Sequence, residues 1–508
     1  MQDAILPAGE AAMKTSAPAH DASRACGPGY RPLGPNDIER IHESALTVLE
    51  TVGFADAIPS CVDALTGVGA VLGADGRIRF PRNLVLDTIG GAARDITLYG
   101  QRPGHDLLLD GSNVHFGTAG LAVNLVDAER REYRESRLQD IYDAARLAEG
   151  LDNIHFFQRP MVARDIADPL ELDFNTLYAC VTGTSKHVGI SFTVRENVKP
   201  ALEMLHMIAG GEEKFRARPF VSNSNCFVVS PMKFAEDACG VLEECVKGGL
   251  PILLLSVGQA GNTAPADLAG AVVQTVAEVL AGLVYVNALK PGHPAIFAAW
   301  PFASDPRSGA MAGGSPEQAL LGAACAQMAR FYNLPGSTAA GMTDSKLPDS
   351  QSGYEKGITD MLAALSGADL VYEAAGTHAA LLGFCLESLI IDNDMLGHCL
   401  NSRAGMSAGG DQLSVALIEQ TCLGGPGHYL GLPPVREEAP HTYPLIAERW
   451  SPREWEDNGR PDIVMRAVAE KRRVLAGRFP RHVSRTLDER LRARFGDLIR
   501  LPRSAMGV

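Results

Sequence analysis

No run of about eighteen consecutive apolar residues occurs in the chain, the length a helix needs to cross a bilayer, so no transmembrane segment is expected. No basic region followed by an apolar core stands at the N-terminus, so a secretory signal is not expected and a cytoplasmic location is. Positive charge is also in short supply. Lys and Arg number 46 against 60 Asp and Glu, a formal net charge of −14. Nucleic acid and anionic membranes are poor partners for such a surface. The most basic stretch, Arg472–Arg503, is interrupted by acids and reads as a solvated helical surface.

Metal-ligand spacing is missing too. The ten cysteines are scattered, which favours buried reduced thiols over disulfides. Cys239 and Cys245 lie six residues apart in a predicted helix, a turn of about 600° that puts them on different faces. His187 stands at the start of a predicted strand. No catalytic zinc set emerges, and no bound metal is expected. Gly405-Met406-Ser407-Ala408-Gly409 has the spacing of a nucleophile elbow, but a helix and a glycine-rich loop precede it where a strand is needed. Gly424–Gly427 has no strand leading into it, and no phosphate-binding lysine motif occurs.

What the chain does contain is rhythm. Residues 1–30, rich in Ala, Pro, Gly and Ser, are expected to be disordered. Residues 36–52 predict an amphipathic helix capped by Asn36, with Ile38, Ile41, Ala45, Leu46, Leu49 and Val52 on one face. It opens a mixed N-terminal extension over 31–112. From 113 to 400, eight short apolar runs alternate with helical stretches. The predicted strands are Val114–Thr118, Ile154–Arg159, His187–Thr193, Phe220–Phe227, Ile252–Val257, Ala295–Pro301, Gly336–Ala340 and Leu370–Ala374. The helices fall near 137–149, 171–182, 196–209, 233–247, 265–288, 315–332, 354–366 and 379–398. Eight such units predict an α/β fold, a (β/α)₈ TIM barrel. Residues 401–508 are expected to pack on it as a C-terminal extension.

In this fold, active sites lie at the C-terminal ends of the strands. That rule selects Gln158 and Arg159, Phe192, Asn223, Trp300 and Phe302, Met342 and Asp344, and Glu373. Amides, aromatics and carboxylates dominate this set. A quaternary ammonium cannot donate a hydrogen bond, so ring faces and nearby carboxylates hold it. Trp300, Phe302 and Phe192 are candidate faces, with Glu373 and Asp344 as candidate charges; barrel packing and structural ion pairs compete with each assignment. Arg159 has the geometry to grip a substrate carboxylate.

One stretch after the seventh predicted strand is far more specific. Thr343-Asp344-Ser345-Lys346-Leu347-Pro348-Asp349-Ser350-Gln351-Ser352-Gly353-Tyr354-Glu355-Lys356 resembles the T-D-S-K-x-x-D-x-Q-x-G-Y-E-K signature of the trimethylamine methyltransferase family. Residues 127–145, 386–394 and 427–431 resemble other family stretches, so the likeness covers roughly 35–475. The resemblance implies an enzyme of one-carbon metabolism, moving a methyl group from a methylated amine to the cobalt(I) of a separate corrinoid (cobalamin) protein. No cofactor would be bound tightly by the chain itself, and a homo-oligomer is expected. Founding members carry pyrrolysine in this region. Here every residue is standard, and the resemblance places the lost position near Met342. That implies a quaternary donor such as glycine betaine rather than trimethylamine. Leu432-Pro433-Pro434-Val435 and Gly376–Ala380 depart from the family pattern and leave the donor open. A non-catalytic methylated-amine-binding protein and a metal-dependent barrel lyase or hydrolase are the alternatives.

Overall fold

The computed structural model describes residues 29–405, 414–425, 427–429, 443–477 and 479–506. The elbow-like Gly405–Gly409 beyond its first residue, Leu432–Val435 and nearly all of 1–30 lie outside them. Eight parallel strands form one sheet: β1 (His115–Phe116), β2 (Phe156–Gln158), β3 (His187–Ile190), β4 (Val221–Asn225), β5 (Ile252–Ser256), β6 (Ala295–Ala299), β7 (Gly336–Ala339) and β8 (Leu370–Tyr372). Each pairs with the next in sequence, β8 pairs with β1, and a parallel bridge from Gly117 to Phe156 joins β1 to β2. The sheet is therefore a closed barrel. All eight sequence-predicted strands are present.

The helices that follow are α1 (Leu138–Ala148), α2 (Pro169–Gly183), α3 (Val198–Ala209), α4 (Glu236–Gly248), α5 (Leu268–Leu289), α6 (Pro316–Phe331), α7 (Ser350–Ser366) and α8 (Leu386–Ala404). By length and composition α5 could cross a membrane, although 78% of its apolar window is buried inside the protein. Ala271, Val276 and Leu280 are among its fully buried residues, a core helix wrapped by the protein's own apolar surface.

Period-two alternation sorts the strands into two apolar layers. Phe156, Leu253, Ile296, Ala298, Ala339, Leu370 and Tyr372 cluster inside the barrel. Phe157, Val188, Ile190, Leu254, Phe297 and Val371 pack outward in the larger core under the helices. An antiparallel hairpin, Ile96–Leu98 with Leu107–Leu109, joins the inner cluster. It bonds the strand starts through Tyr99 O to His187 Nδ1 (2.8 Å) and Leu108 O to His115 Nε2 (3.1 Å), so it plugs the N-terminal end. The C-terminal end is left to chemistry.

Some boundaries differ from the sequence reading; the helix expected over 354–366 begins at Ser350. The first helix is Pro35–Thr51, and Gly34, not Asn36, is its cap; Gly34 N donates to the Asp37 carboxylate. The helix expected over 379–398 begins only at Leu386. Ala379, Ala380 and Leu381 all take left-handed φ (52°, 48°, 77°). They turn a hairpin, Thr377–His378 with Gly383–Cys385, whose second strand extends a ribbon made of Asn124–Asp127 and Glu132–Glu135. Ala-Ala-Leu-Leu has strong helix propensity, but tertiary bonds override it: Ala379 N donates to Ser345 O and Ala380 N to Thr343 O, each at 2.9 Å.

The C-terminal helices lie on the outside of the barrel. Ile463–Gly477 packs on α8 and α1, and Arg485–Phe495 on α3. The Asp394 carboxylate accepts from Leu445, Ile446 and Ala447 N, clipping the incoming chain. Much of the basic stretch is ion-paired: Arg494 with Glu203, Arg500 with Glu171, and Arg492 and Arg503 with buried Asp488. The described cysteines are free, and all but Cys226 and Cys422 are buried.

Candidate active site at the C-terminal rim of the barrel

Three rings climb the inner wall. Phe156 of β2 and Tyr372 of β8 have centroids 4.6 Å apart, and Tyr372 and Trp300, just past β6, 5.0 Å. Trp300 Nε1 donates to Ser337 Oγ at 3.1 Å, so its ring is fixed by a bond as well as by packing. Phe302, Met342, Met311 and Leu381 join the same cluster near the rim. Trp300, Phe302 and Met342 are thus brought together as the sequence suggested. Phe156 and Tyr372 were missed, although the alternation that puts Gln158 and Leu370 inside puts them there as well.

The inner wall over the ends of β2, β3 and β4 is polar. Gln158 Oε1 accepts from Ser224 Oγ at 3.0 Å, Ser191 Oγ donates to Ser224 O at 2.9 Å, and Thr118 Oγ1 donates to Gln158 O at 2.6 Å. A Cβ on Gly189 would stand 1.7 Å from Gln158 Oε1, so only glycine lets that amide cross β3.

Three selected residues sit on the other side of this wall. Asn223 alternates with inward Ser222 and Ser224; its amide donates to Ile190 O and its oxygen accepts from Asn225. Phe192 packs in the outer core, not with Trp300. Arg159 follows inward Gln158 and stands within electrostatic reach of Asp173 and Cys180 on α2 and of Cys226. Its Nε is shielded from solvent without a hydrogen-bond partner. Choosing strand ends without applying strand parity produced these three placements.

The two carboxylates differ sharply. Asp344 Oδ1 accepts from Gly313 N at 2.9 Å, tying the β7 loop to the loop after β6. Burial and the neighbouring Glu355 push its pKa up. Glu373 is 4% exposed, has φ +65°, and its Oε2 has no hydrogen-bond partner. Burial pushes its carboxyl up to about 8, and the nearby Thr377 hydroxyl offsets part of that rise. Left-handed backbone in a non-glycine residue stores strain that recurs at functional sites. Oε2 lies 3.3 Å from where a Cβ on Gly120 would stand, so the bare glycine leaves room beside the acid.

The signature segment turns out to be a brace. Asp349 caps α7 and pairs reciprocally with Ser352. Glu355 Oε2 accepts from Thr343 Oγ1 and from Asp344 N (2.8 Å), and Gln351 Nε2 holds its Oε1 at 2.8 Å. Lys356 Nζ meets Asp392 at 2.7 Å in the interior. Among the described residues no group of three or more His, Cys, Asp or Glu is arranged to hold a metal ion.

The chain is 29% identical over 480 residues to a trimethylamine methyltransferase of Desulfitobacterium hafniense, covering 93% of this chain and 94% of that protein. It is 30% identical over 444 residues to the trimethylamine methyltransferase of Methanosarcina thermophila (86% and 91%). It is 29% identical over 472 residues to a glycine betaine methyltransferase of D. hafniense (92% and 96%). Among solved structures, the monomethylamine methyltransferase of Methanosarcina barkeri matches 77% of this chain and 85% of its own length at 12% identity, TM-score 0.46. Residues 8–497 match the family described as Trimethylamine methyltransferase (MTTB), and the chain belongs to that family of methyltransferases.

Proposed function

We propose that this chain moves a methyl group from a quaternary amine, glycine betaine or a related betaine, to the cobalt(I) of a corrinoid carried by a separate protein. One observation carries the reading: Glu373, a buried carboxyl with an unpartnered oxygen, directly follows Tyr372 of the ring ladder at the barrel rim. Ring faces and a carboxylate are what a cation without hydrogen-bond donors requires. The leaving group of such a donor is a neutral tertiary amine, so no general acid is needed and Glu373 would act as counter-charge.

The corrinoid supplies the methyl acceptor. What remains for the protein is to bind the cation on Trp300 and Tyr372, turn one methyl toward the open rim, and exclude water with Phe302 and Met342. Relatives named for trimethylamine and for glycine betaine support a methylated-amine donor. The standard residues from Gly341 to Lys356 favour the betaine.

The test is direct. The purified protein is mixed with a reduced corrinoid protein and a panel of quaternary amines, and the cobalt(I) absorbance is followed. Donor-dependent loss of that absorbance is expected with a betaine. No change with any quaternary amine would refute the reading.

A further inference from the structure

Glu373 does not hold its backbone conformation unaided. Ala374 N donates to Gly117 O at 3.1 Å on one side of it. Three residues on, Gly376 N donates to Asp392 Oδ2 of α8 at 2.8 Å, and the same oxygen accepts from Lys356 Nζ at 2.7 Å. Both charged side chains are buried, 1% and 6% exposed. Gly376 O accepts from Cys385 N at 2.8 Å, and φ is +86° at this residue. A Cβ there would meet the Phe384 ring at 2.3 Å. The segment 373–376 is thus pinned at both ends, and its far pin is a buried ion pair whose lysine closes the signature. A strained residue persists only where its surroundings over-determine it.

We propose that the buried Lys356–Asp392 pair is a positioning device for Glu373, fixing the turn that aims its carboxyl at a bound cation. This rests on reading Glu373 as the cation's partner, and the experiment separates the two.

Removing one member of a buried pair strands the other charge, so the variants are made in pairs. Lys356→Met with Asp392→Asn removes both charges but keeps an amide oxygen for Gly376 N. Lys356→Met with Asp392→Leu removes the acceptor as well. Three quantities are read: the thermal midpoint, the Kd for glycine betaine by calorimetry, and the titration midpoint of the Glu373 carboxyl by infrared difference spectroscopy, assigned through Glu373→Gln. The Asn pair should stay within about threefold of the parent Kd with an unmoved Glu373 midpoint. The Leu pair should melt close to the Asn pair, bind about tenfold more weakly or worse, and show a moved midpoint; tenfold is the effect of roughly 1.4 kcal/mol. Equal Kd and equal midpoint in the two pairs would overturn the proposal. The infrared readout needs no donor. A protein that binds no quaternary amine therefore refutes the cation reading, while the carboxyl midpoint still decides positioning. Lys356→Arg, which keeps the charge, serves if both pairs fail to fold: a moved midpoint supports positioning and an unmoved one overturns it.

Discussion

The β7 loop and the end of β8 are neighbours with opposite bookkeeping of polar groups. In the β7 loop nearly every polar atom is spent. Thr343, the Asp344 amide and Gln351 all converge on Glu355, Asp344 holds Gly313, and Lys356 holds Asp392. At the end of β8, Glu373 keeps a buried oxygen without a hydrogen-bond partner, with only the Thr377 hydroxyl near its carboxyl, and a backbone conformation that costs energy. A buried polar group left unsatisfied is destabilising, and this one, next to the ring ladder, is the group proposed above for the cation, whereas the satisfied network around Glu355 is structural. The most recognisable motif of the sequence is therefore a brace, and the position it is proposed to brace is the one proposed for the cation.

The sharpest way to break this contrast is to exchange the effects of the two glutamates. Glu373→Gln should reduce methyl transfer by about 100-fold, the scale of losing one preorganised electrostatic contact, while leaving the thermal midpoint level or higher. Glu355→Ala should do the reverse in stability, costing about 3 kcal/mol through three orphaned donors, as seen in chemical denaturation. If Glu355→Ala is silent in stability and Glu373→Gln is silent in turnover, the assignment of brace and site is inverted.

The pH dependence follows from the same contrast. Glu373 titrates at about 8 in the folded chain against an ordinary 4.5, so the folded state holds a proton that the unfolded state has released. Stability from this group is present below about pH 4.5 and is lost as pH rises to about 8. Cation binding requires the ionised form, so Kd should fall about tenfold per pH unit from 6 to 8 and then level, with Glu373→Gln flat. A flat profile in the parent would place the cation elsewhere.

Smaller effects sharpen the wall assignments. Trp300→Leu should weaken donor binding about tenfold, in the range of a desolvated cation–π contact, whereas Trp300→Phe keeps a ring face and should stay within about threefold. Because Trp300 is only 4% exposed, both will lower the melting temperature, and only the difference in Kd between them reports on the site. Asp344→Asn keeps an oxygen for Gly313 N and should change turnover by about threefold or less; a loss as large as that of Glu373→Gln would make Asp344 a catalytic group.

The barrel was legible because most strands are short β-branched or apolar runs bounded by Gly, Pro or polar residues, spaced at regular intervals between helical stretches. The rim was half legible. Trp300, Phe302, Gln158 and Met342 face the mouth, but Asn223, Arg159 and Phe192 stand one residue out of phase with the inner wall. Applying the strand period from Gln158 and Trp300 would have found Phe156 and Tyr372 and set those three aside. The turn at Ala379–Leu381 was not legible at all. It is made by backbone bonds to Thr343 and Ser345, distant in sequence, against the local preference of Ala and Leu.

The central claim is that a cation takes up the free valence of Glu373, and proton release on binding tests it most directly. Titrating glycine betaine calorimetrically at pH 7 in two buffers of different ionisation enthalpy gives the protons released per donor bound. About one proton is expected for the parent and none for Glu373→Gln. Tight binding with no proton released by the parent would contradict the account.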